Sequence, residues 1–380
     1  MNVTMKNGLF SPVELGSTRL KHRVVMGPLT RARSVQPDSI PGGLMLEYYA
    51  QRASDGGLII SEAAQISLAS RGWHGAPGMY SDAQVAGWKK IVDAVHAKGS
   101  HIFAQLWHPG RFSHVSLTGG AVPVSASVDD YWQTPSRLIS TPTGWIQPSP
   151  HRALAKSEIP GVVEEYGKAV ERAKSAGFDG VEVHAGNGYL IDQFLQDGSN
   201  KRTDDYGGSI ENRARLLFEV VEAMVSAWTN DRVGVRITPN GTFNAMSDSD
   251  PEALHAHVAE GLDRFGLAYL HIIEPRMSGY LVTKEDQHPV ATQRARKIFT
   301  GKILANGGFE PETAAAAIER GDADAISFGR YFISNPDLAR RLQEGLPLAA
   351  YDRDTFYTFE AKGYTDYPLY NGVVEALIAR

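Results

Sequence analysis

A β-branched run in "VEVHAGNGYLIDQF" (181–194) stops at His184, and an amide, Asn187, and a phenol, Tyr189, follow within five positions. Each of these three side chains can hydrogen-bond a ligand, and the imidazole and the phenol can also move a proton. Ala185, Gly186 and Gly188 lie between them, small enough for the backbone to approach a bound molecule. A lone histidine at a strand end is ordinarily a satisfied core residue. Three such groups in sequence ask for a site, and a site needs a frame.

The frame is legible in the alternation of short Val- and Ile-rich runs with longer stretches of helical period. The runs are "HRVVMGPL" (22–29), "GLIISEAAQI" (57–66), "HIFAQLWH" (101–108), "GVEVH" (180–184), "VGVRIT" (233–238), "LAYLHIIE" (267–274), "KILANGG" (302–308) and "ADAISFGR" (323–330). A helical stretch follows each. In the second of these Ser81 reads as an N-cap and Gly99 as a C-terminal stop, and in the fourth Glu211 and Arg215 stand at an i,i+4 spacing. Strands that are apolar on both faces and always followed by a helix imply a parallel sheet. Eight such units predict an α/β fold of the (β/α)₈ TIM-barrel type, one domain over residues 1–380, with a doubly wound sheet as the alternative. The segment from about 109 to 160, rich in Ser, Thr, Pro and Gly, reads as an insertion after strand three that covers the barrel mouth. "LFSPVELGSTRL" reads as an N-terminal hairpin that plugs the other end.

Barrel enzymes carry their chemistry at the C-terminal ends of the strands. Those ends here offer Thr30, Glu62, Gln105 with Trp107 and His108, His184, Arg236 with Thr238, Glu274, Asn306 with Gly307 and Gly308, and Gly329 with Arg330. The glycines and guanidinium after strands seven and eight occupy the usual phosphate position of this fold, beside a helix N-terminus. Turning the chain and pairing Arg330 with an acid is the alternative reading. No lysine ends a strand, which argues against Schiff-base and pyridoxal phosphate chemistry. His108, His184 and His271 lack the carboxylate pattern of a metal cluster, so no metal site is expected. Neutral amides and one arginine, Gln105 and Arg236, suit the oxygens and nitrogens of a heteroaromatic ring, and a flavin mononucleotide (FMN) fits.

The chain is 380 residues, 42% apolar, with formal charge −5 and no cysteine. That composition excludes disulfides, thiolate metal sites and cysteine nucleophiles, and it gives no basic surface for nucleic acid or an anionic membrane. The N-terminus has no apolar secretory core and no 18-residue apolar run occurs, so a cytoplasmic protein without a membrane partner is expected.

The motifs "MGPLTRAR", "GLIISEAAQIS", "AQLWHPGR", "HAGNGYLIDQFLQDGSNKRTDDYGGSIENRARLLFEV", "VRITPNGTF" and "SFGRYFISNPDL" resemble those of the old yellow enzyme family of FMN-dependent ene-reductases. The likeness is nearest to its bacterial N-ethylmaleimide and nitrate-ester reductase branch and runs from "LFSPVELG" to "GYTDYP". The resemblance implies that Pro28, Leu29 and Thr30 line the flavin ring, with the Thr30 hydroxyl near its O4 and N5 edge. It implies backbone contact from Ala63, pyrimidine contacts from Gln105 and Arg236, and phosphate contacts from Gly307, Gly308, Gly329 and Arg330. Trp73, Trp107, Phe243 and Tyr357 would shape the substrate pocket. Trp73 stands where relatives often carry tyrosine.

The same resemblance implies that His184 and Asn187 bind the carbonyl or nitro oxygen of an electron-poor alkene or enone while hydride comes from flavin N5. Tyr189 then protonates the α-carbon. The expected activity is NADPH- or NADH-dependent reduction of the C=C bond of α,β-unsaturated carbonyl or nitro compounds. The alternatives are nitrate-ester or nitroaromatic reduction on the same scaffold, or a flavin-free barrel isomerase acting on a phosphorylated sugar. The expected assembly is a monomer or a weak homo-oligomer.

Overall fold

The Val- and Ile-rich runs form eight parallel strands: β1 (Val24–Met26), β2 (Leu58–Ile60), β3 (His101–Trp107), β4 (Gly180–His184), β5 (Val233–Ile237), β6 (Tyr269–Ile273), β7 (Ile303–Asn306) and β8 (Ala325–Phe328). The computed structural model describes residues 8–134, 137–278, 281–282 and 290–372. Each strand pairs in parallel with the next, and β8 pairs with β1, so the sheet closes on itself. The architecture is the (β/α)₈ barrel that the alternation of runs predicts.

The helices that follow the strands are α1 (Gly43–Arg52), α2 (Asp82–His96), α3 (Ile159–Ala176), α4 (Ile210–Ala227), α5 (Pro251–Asp263), α6 (Ala291–Arg296), α7 (Pro311–Glu319) and α8 (Leu338–Glu344). Ser81 caps α2 in a complete capping box with Gln84, while Gly99, at positive φ, turns the chain three residues after the helix ends. Arg215 does not use its i,i+4 spacing to Glu211. It donates to the Asp205 carbonyl and the Asn212 amide oxygen instead. The apolar stripe of each helix packs on outward strand residues such as Val181, Val183, Val235 and Ile272. No helix among the described residues is long and apolar enough to cross a membrane.

Alternate strand residues point inward, and their character changes with height. At the N-terminal end Val25, Leu58, Ile60, Phe103, Tyr269, Leu304 and Ala325 form one apolar cluster with Val13, Leu15 and Leu20. The last three belong to an antiparallel hairpin, Val13–Leu15 with Thr18–Leu20, which plugs the bottom as the sequence predicts. Gly180 and Gly234 make room for this floor, since a Cβ at either would lie about 2.5 Å or less from the rings of Phe103 and Tyr269. After β3 the chain leaves the barrel and returns at α3, building on the way a second antiparallel hairpin, Ile139–Thr141 with Gly144–Ile146.

Candidate active site

Above the floor the interior opens into a cavity of about 1200 Å³ at the C-terminal ends of the strands. Of the strand-end residues, Glu62, His108, Thr238, His271 and Glu274 do not line it. The residues that the family resemblance assigns to cofactor and substrate do: Pro28, Leu29 and Thr30 after β1, Ala63 and Trp73 after β2, Gln105 and Trp107 in β3, and His184, Asn187 and Tyr189 at and after β4. Arg236 and Phe243 follow from β5 and its loop, Gly307 and Gly308 from the end of β7, Gly329 and Arg330 from the end of β8, and Tyr357 from the C-terminal segment.

The strand end that carries His184 also fixes its tautomer. The Gly186 N–H donates to His184 Nδ1 at 3.4 Å, so the ring proton sits on Nε2. Burial, reinforced by the nearby Arg236 and His271, pushes the imidazole well below its ordinary value, and it is neutral at physiological pH. Asn187 adopts positive φ, which turns its side chain back over the strand ends. The Thr238 hydroxyl accepts from the Asn187 backbone N–H at 3.0 Å and donates to Asn187 Oδ1 at 3.2 Å, and Asn244 Nδ2 donates to its carbonyl. The carboxamide's acceptor is thereby occupied and Nδ2 remains its unspent donor. Tyr189 stands edge-on to both His184 and Trp107, with ring centroids 5.0 Å from each. Burial raises its phenol, so it keeps its proton across the neutral range.

Beneath and beside these groups lies a polar layer, with Gln105 and Glu182 two residues before Trp107 and His184 on the same strand faces. Gln105 Nε2 donates to Glu182 Oε1 at 2.7 Å, and His271 Nδ1 lies 2.8 Å from Glu182 Oε2. Arg236, in register with His184 on one side and His271 on the other, donates through Nη2 to Asn306 Oδ1 at 3.3 Å. Its Nε and Nη1 are buried without a partner. Among the described residues no three His, Asp or Glu converge as metal ligands, His108, His184 and His271 included.

The profile of the NADH:flavin oxidoreductase / NADH oxidase family matches residues 8–349. The chain belongs to this family, the old yellow enzymes. It is 46% identical over 373 residues to 12-oxophytodienoate reductase 7 of Oryza sativa subsp. japonica, covering 95% of this chain and 94% of that protein. It is 43% identical over 381 residues to the flavin oxidoreductase hxnT of Emericella nidulans, covering 95% and 97%. Among solved structures, morphinone reductase in complex with tetrahydroNAD superposes with a TM-score of 0.89 at 46% identity, over 96% of this chain and 98% of that one. The old yellow enzyme homologue from Zymomonas mobilis gives 0.90 at 44% identity, over 96% and 100%.

Membership makes the chain an FMN-dependent oxidoreductase with a nicotinamide reductant, and the cavity fits such a cofactor. Buried, unpartnered guanidinium N–H groups such as Arg236 Nε and Nη1 call for an electron-rich acceptor. At the other end Gly307 has φ of +111°, and a Cβ there would lie about 3 Å from Met277 Cγ and Glu274 N, so only glycine lets the chain pass. Arg330 meets the Tyr351 hydroxyl at 3.3 Å, with no carboxylate among the described residues within ion-pair distance, which leaves it able to meet an anion.

Glu62 and Glu274 are the anchors that their loop positions suggest. Glu62 accepts from the Arg31 and Ala32 N–H groups, and Glu274 from the Ala291 and Thr292 N–H groups. Sequence reasoning missed the rim. Phe112 and Trp145 pack on Trp73 at 6.0 and 5.1 Å, and Tyr357 closes the group at 5.2 Å from Trp73. It also missed Asn244, whose backbone and side chain tie the Asn187 loop to Arg111. Glu182 carried a signal that went unread: a carboxylate inside an apolar strand, two residues before His184 and so on its face.

Proposed function

We propose that this old yellow enzyme reduces the C=C bond of α,β-unsaturated carbonyl or nitro compounds, with NADPH or NADH as electron donor. The observation that carries the reading is the pair of unspent donors, His184 Nε2 and Asn187 Nδ2, with a protonated phenol, Tyr189, packed against the imidazole. The chemistry that FMN would supply when bound is two-electron transfer, hydride from the nicotinamide to the ring and from the ring to the substrate's β-carbon. Gln105, Arg236, Gly307, Gly308, Gly329 and Arg330 would hold it, with Pro28, Leu29, Thr30 and Ala63 along its ring.

His184 and Asn187 grip the substrate oxygen and stabilise the negative charge that develops there. Each such donor is worth about 10²–10³ in rate at comparable oxyanion sites. The neutral imidazole donates from Nε2, a weaker donor than an imidazolium but one that does not change with pH across the neutral range. Tyr189 holds the proton that the α-carbon takes. Its raised affinity for that proton still leaves it far more acidic than a carbanion-like carbon. Trp73, Trp107, Phe243 and Tyr357 exclude water around the acceptor and set its shape.

Tyr189→Phe tests the assignment. Rapid-mixing measurements should show flavin reduction by NADPH intact, while turnover of a cyclic enone drops by about 10²–10⁴. Equal loss in both half-reactions would remove Tyr189 from the proton step. A nitrate ester needs no such proton, so its reduction should survive the substitution. An enone rate that also survives, together with faster nitrate-ester turnover, would favour the denitrating alternative.

A further inference from the structure

One buried carboxylate in the barrel is unused by the steps above. Glu182 is 0% exposed, and its two oxygens are each engaged, one by Gln105 Nε2 and one by His271 Nδ1. Burial, helped by Arg236, drives His271 down to about 4, so its ring is neutral and Nδ1 carries the proton that it gives to Glu182. Its Nε2 is left buried without a partner. Burial by itself raises Glu182, but His271, Arg236 and Gln105 outweigh it and hold the carboxyl below its usual range. Glu182 is therefore anionic.

Two consequences follow for the cavity. Gln105 Nε2 spends one of its two N–H groups on Glu182, on a bond that ties in-register residues of β3 and β4. That bond fixes which way the carboxamide faces, and its Oε1 remains as an acceptor suited to a ring N–H. Arg236 has no ion pair within 4 Å among the described residues, and Glu182 is the carboxylate that raises its proton affinity against burial. With His271 neutral, one negative and one positive charge share the layer.

We propose that Glu182 is a positioning residue for the cofactor: it fixes the Gln105 carboxamide and offsets the Arg236 charge, and so sets how readily the bound flavin accepts electrons. This rests on the reading of the cavity as the flavin site. Reduction adds negative charge to the ring. A carboxylate beneath it opposes that change and a guanidinium favours it. Removing the carboxylate while keeping the shape leaves Arg236 unopposed, and the flavin becomes easier to reduce.

The experiment is an anaerobic dye-equilibration titration of the holoenzyme, with FMN dissociation measured alongside. Glu182→Gln is expected to tilt the oxidised–reduced equilibrium at least tenfold toward the reduced form, a rise of about 30 mV for two electrons. Glu182→Asp keeps the charge but shortens the reach to Gln105. It should leave the midpoint in place and weaken FMN binding several-fold. A fall in melting temperature with neither potential nor FMN affinity moving would make Glu182 a structural group only and overturn the proposal. So would an E182D midpoint that moves as far as that of E182Q. If E182Q does not fold, E182D decides alone: unchanged FMN affinity overturns the positioning role. A wild-type protein that releases no FMN on denaturation refutes the underlying flavin reading, whereas a yellow wild type with an unmoved E182Q midpoint refutes this inference alone.

Discussion

The floor of the barrel and the layer above it are built by the same strands, two residues apart. Phe103 becomes Gln105, Gly180 becomes Glu182, Gly234 becomes Arg236, Tyr269 becomes His271, Leu304 becomes Asn306 and Ala325 becomes Ser327. Strand period puts each pair on the same inward face, so backbone and burial are nearly constant while side-chain chemistry switches. The floor is finished by contact: rings and aliphatic groups fill it, and the N-terminal hairpin seals it. The upper layer is not finished by the protein. Arg236 Nε and Nη1 and His271 Nε2 stay unpartnered, and each such buried group costs about 1–3 kcal/mol. The floor keeps two such atoms of its own, both neutral hydroxyls, on Tyr269 and Thr18. The lesson is that a site shows where a folded chain leaves guanidinium and imidazole nitrogens unsatisfied above a mostly apolar core.

That contrast breaks first at the floor. Phe103→Ala should cost about 3–5 kcal/mol in urea unfolding, while the native variant keeps its yellow absorbance and half-reaction rates. A variant that loses the flavin at unchanged stability would show that floor and site are one unit.

Acid should strike next, and through the buried imidazoles. Burial lowers His22, His151 and His271 to about 4 and His108 to about 3. The unfolded chain therefore binds more protons than the folded one below pH 6.5, so this stability is full above the unfolded value and drains as pH falls toward 4. Glu62 and Asp192, raised by burial to about 6, act in the opposite sense, as do Glu165 and Glu274, but these four carboxyls face eight lowered histidines among the described residues. For His271 alone the loss between pH 7 and pH 5 is about 2 kcal/mol. Urea midpoints should fall across that range, and His271→Asn, which still donates to Glu182, should fall less. A midpoint independent of pH would mean that these rings bind protons in the fold as readily as in the unfolded chain.

The smallest effect belongs to the rim, outside both layers. Trp145 is 46% exposed, and Trp145→Ala should change stability by no more than about 0.5 kcal/mol. It should raise KM several-fold for a bulky enone and leave kcat for a small one unchanged. A larger loss of stability would make the rim hairpin part of the structural core.

Local pattern carried much of this to the reader of the sequence. Val- and Ile-rich runs gave away the strands because buried parallel strands need apolar residues on both faces. The strand ends stood out because polar residues there have no local partner. What stayed hidden is long-range pairing. Gln105 and Glu182 are 77 residues apart, and His271 lies 89 beyond Glu182, so neither spacing nor period links them. Thr238 was read as one more strand-end polar group. Its bonds to Asn187 need the register of β4 against β5 to be known. The insertion after β3 has no period of its own, so Trp145 and Phe112 gave no sign that they would meet Trp73.

The N-terminal hairpin has a consequence for traffic. A vessel stoppered at its base is filled and emptied from the top, so in the reaction proposed above electron donor and electron acceptor would share one doorway. Crowding by either partner would then obstruct the other.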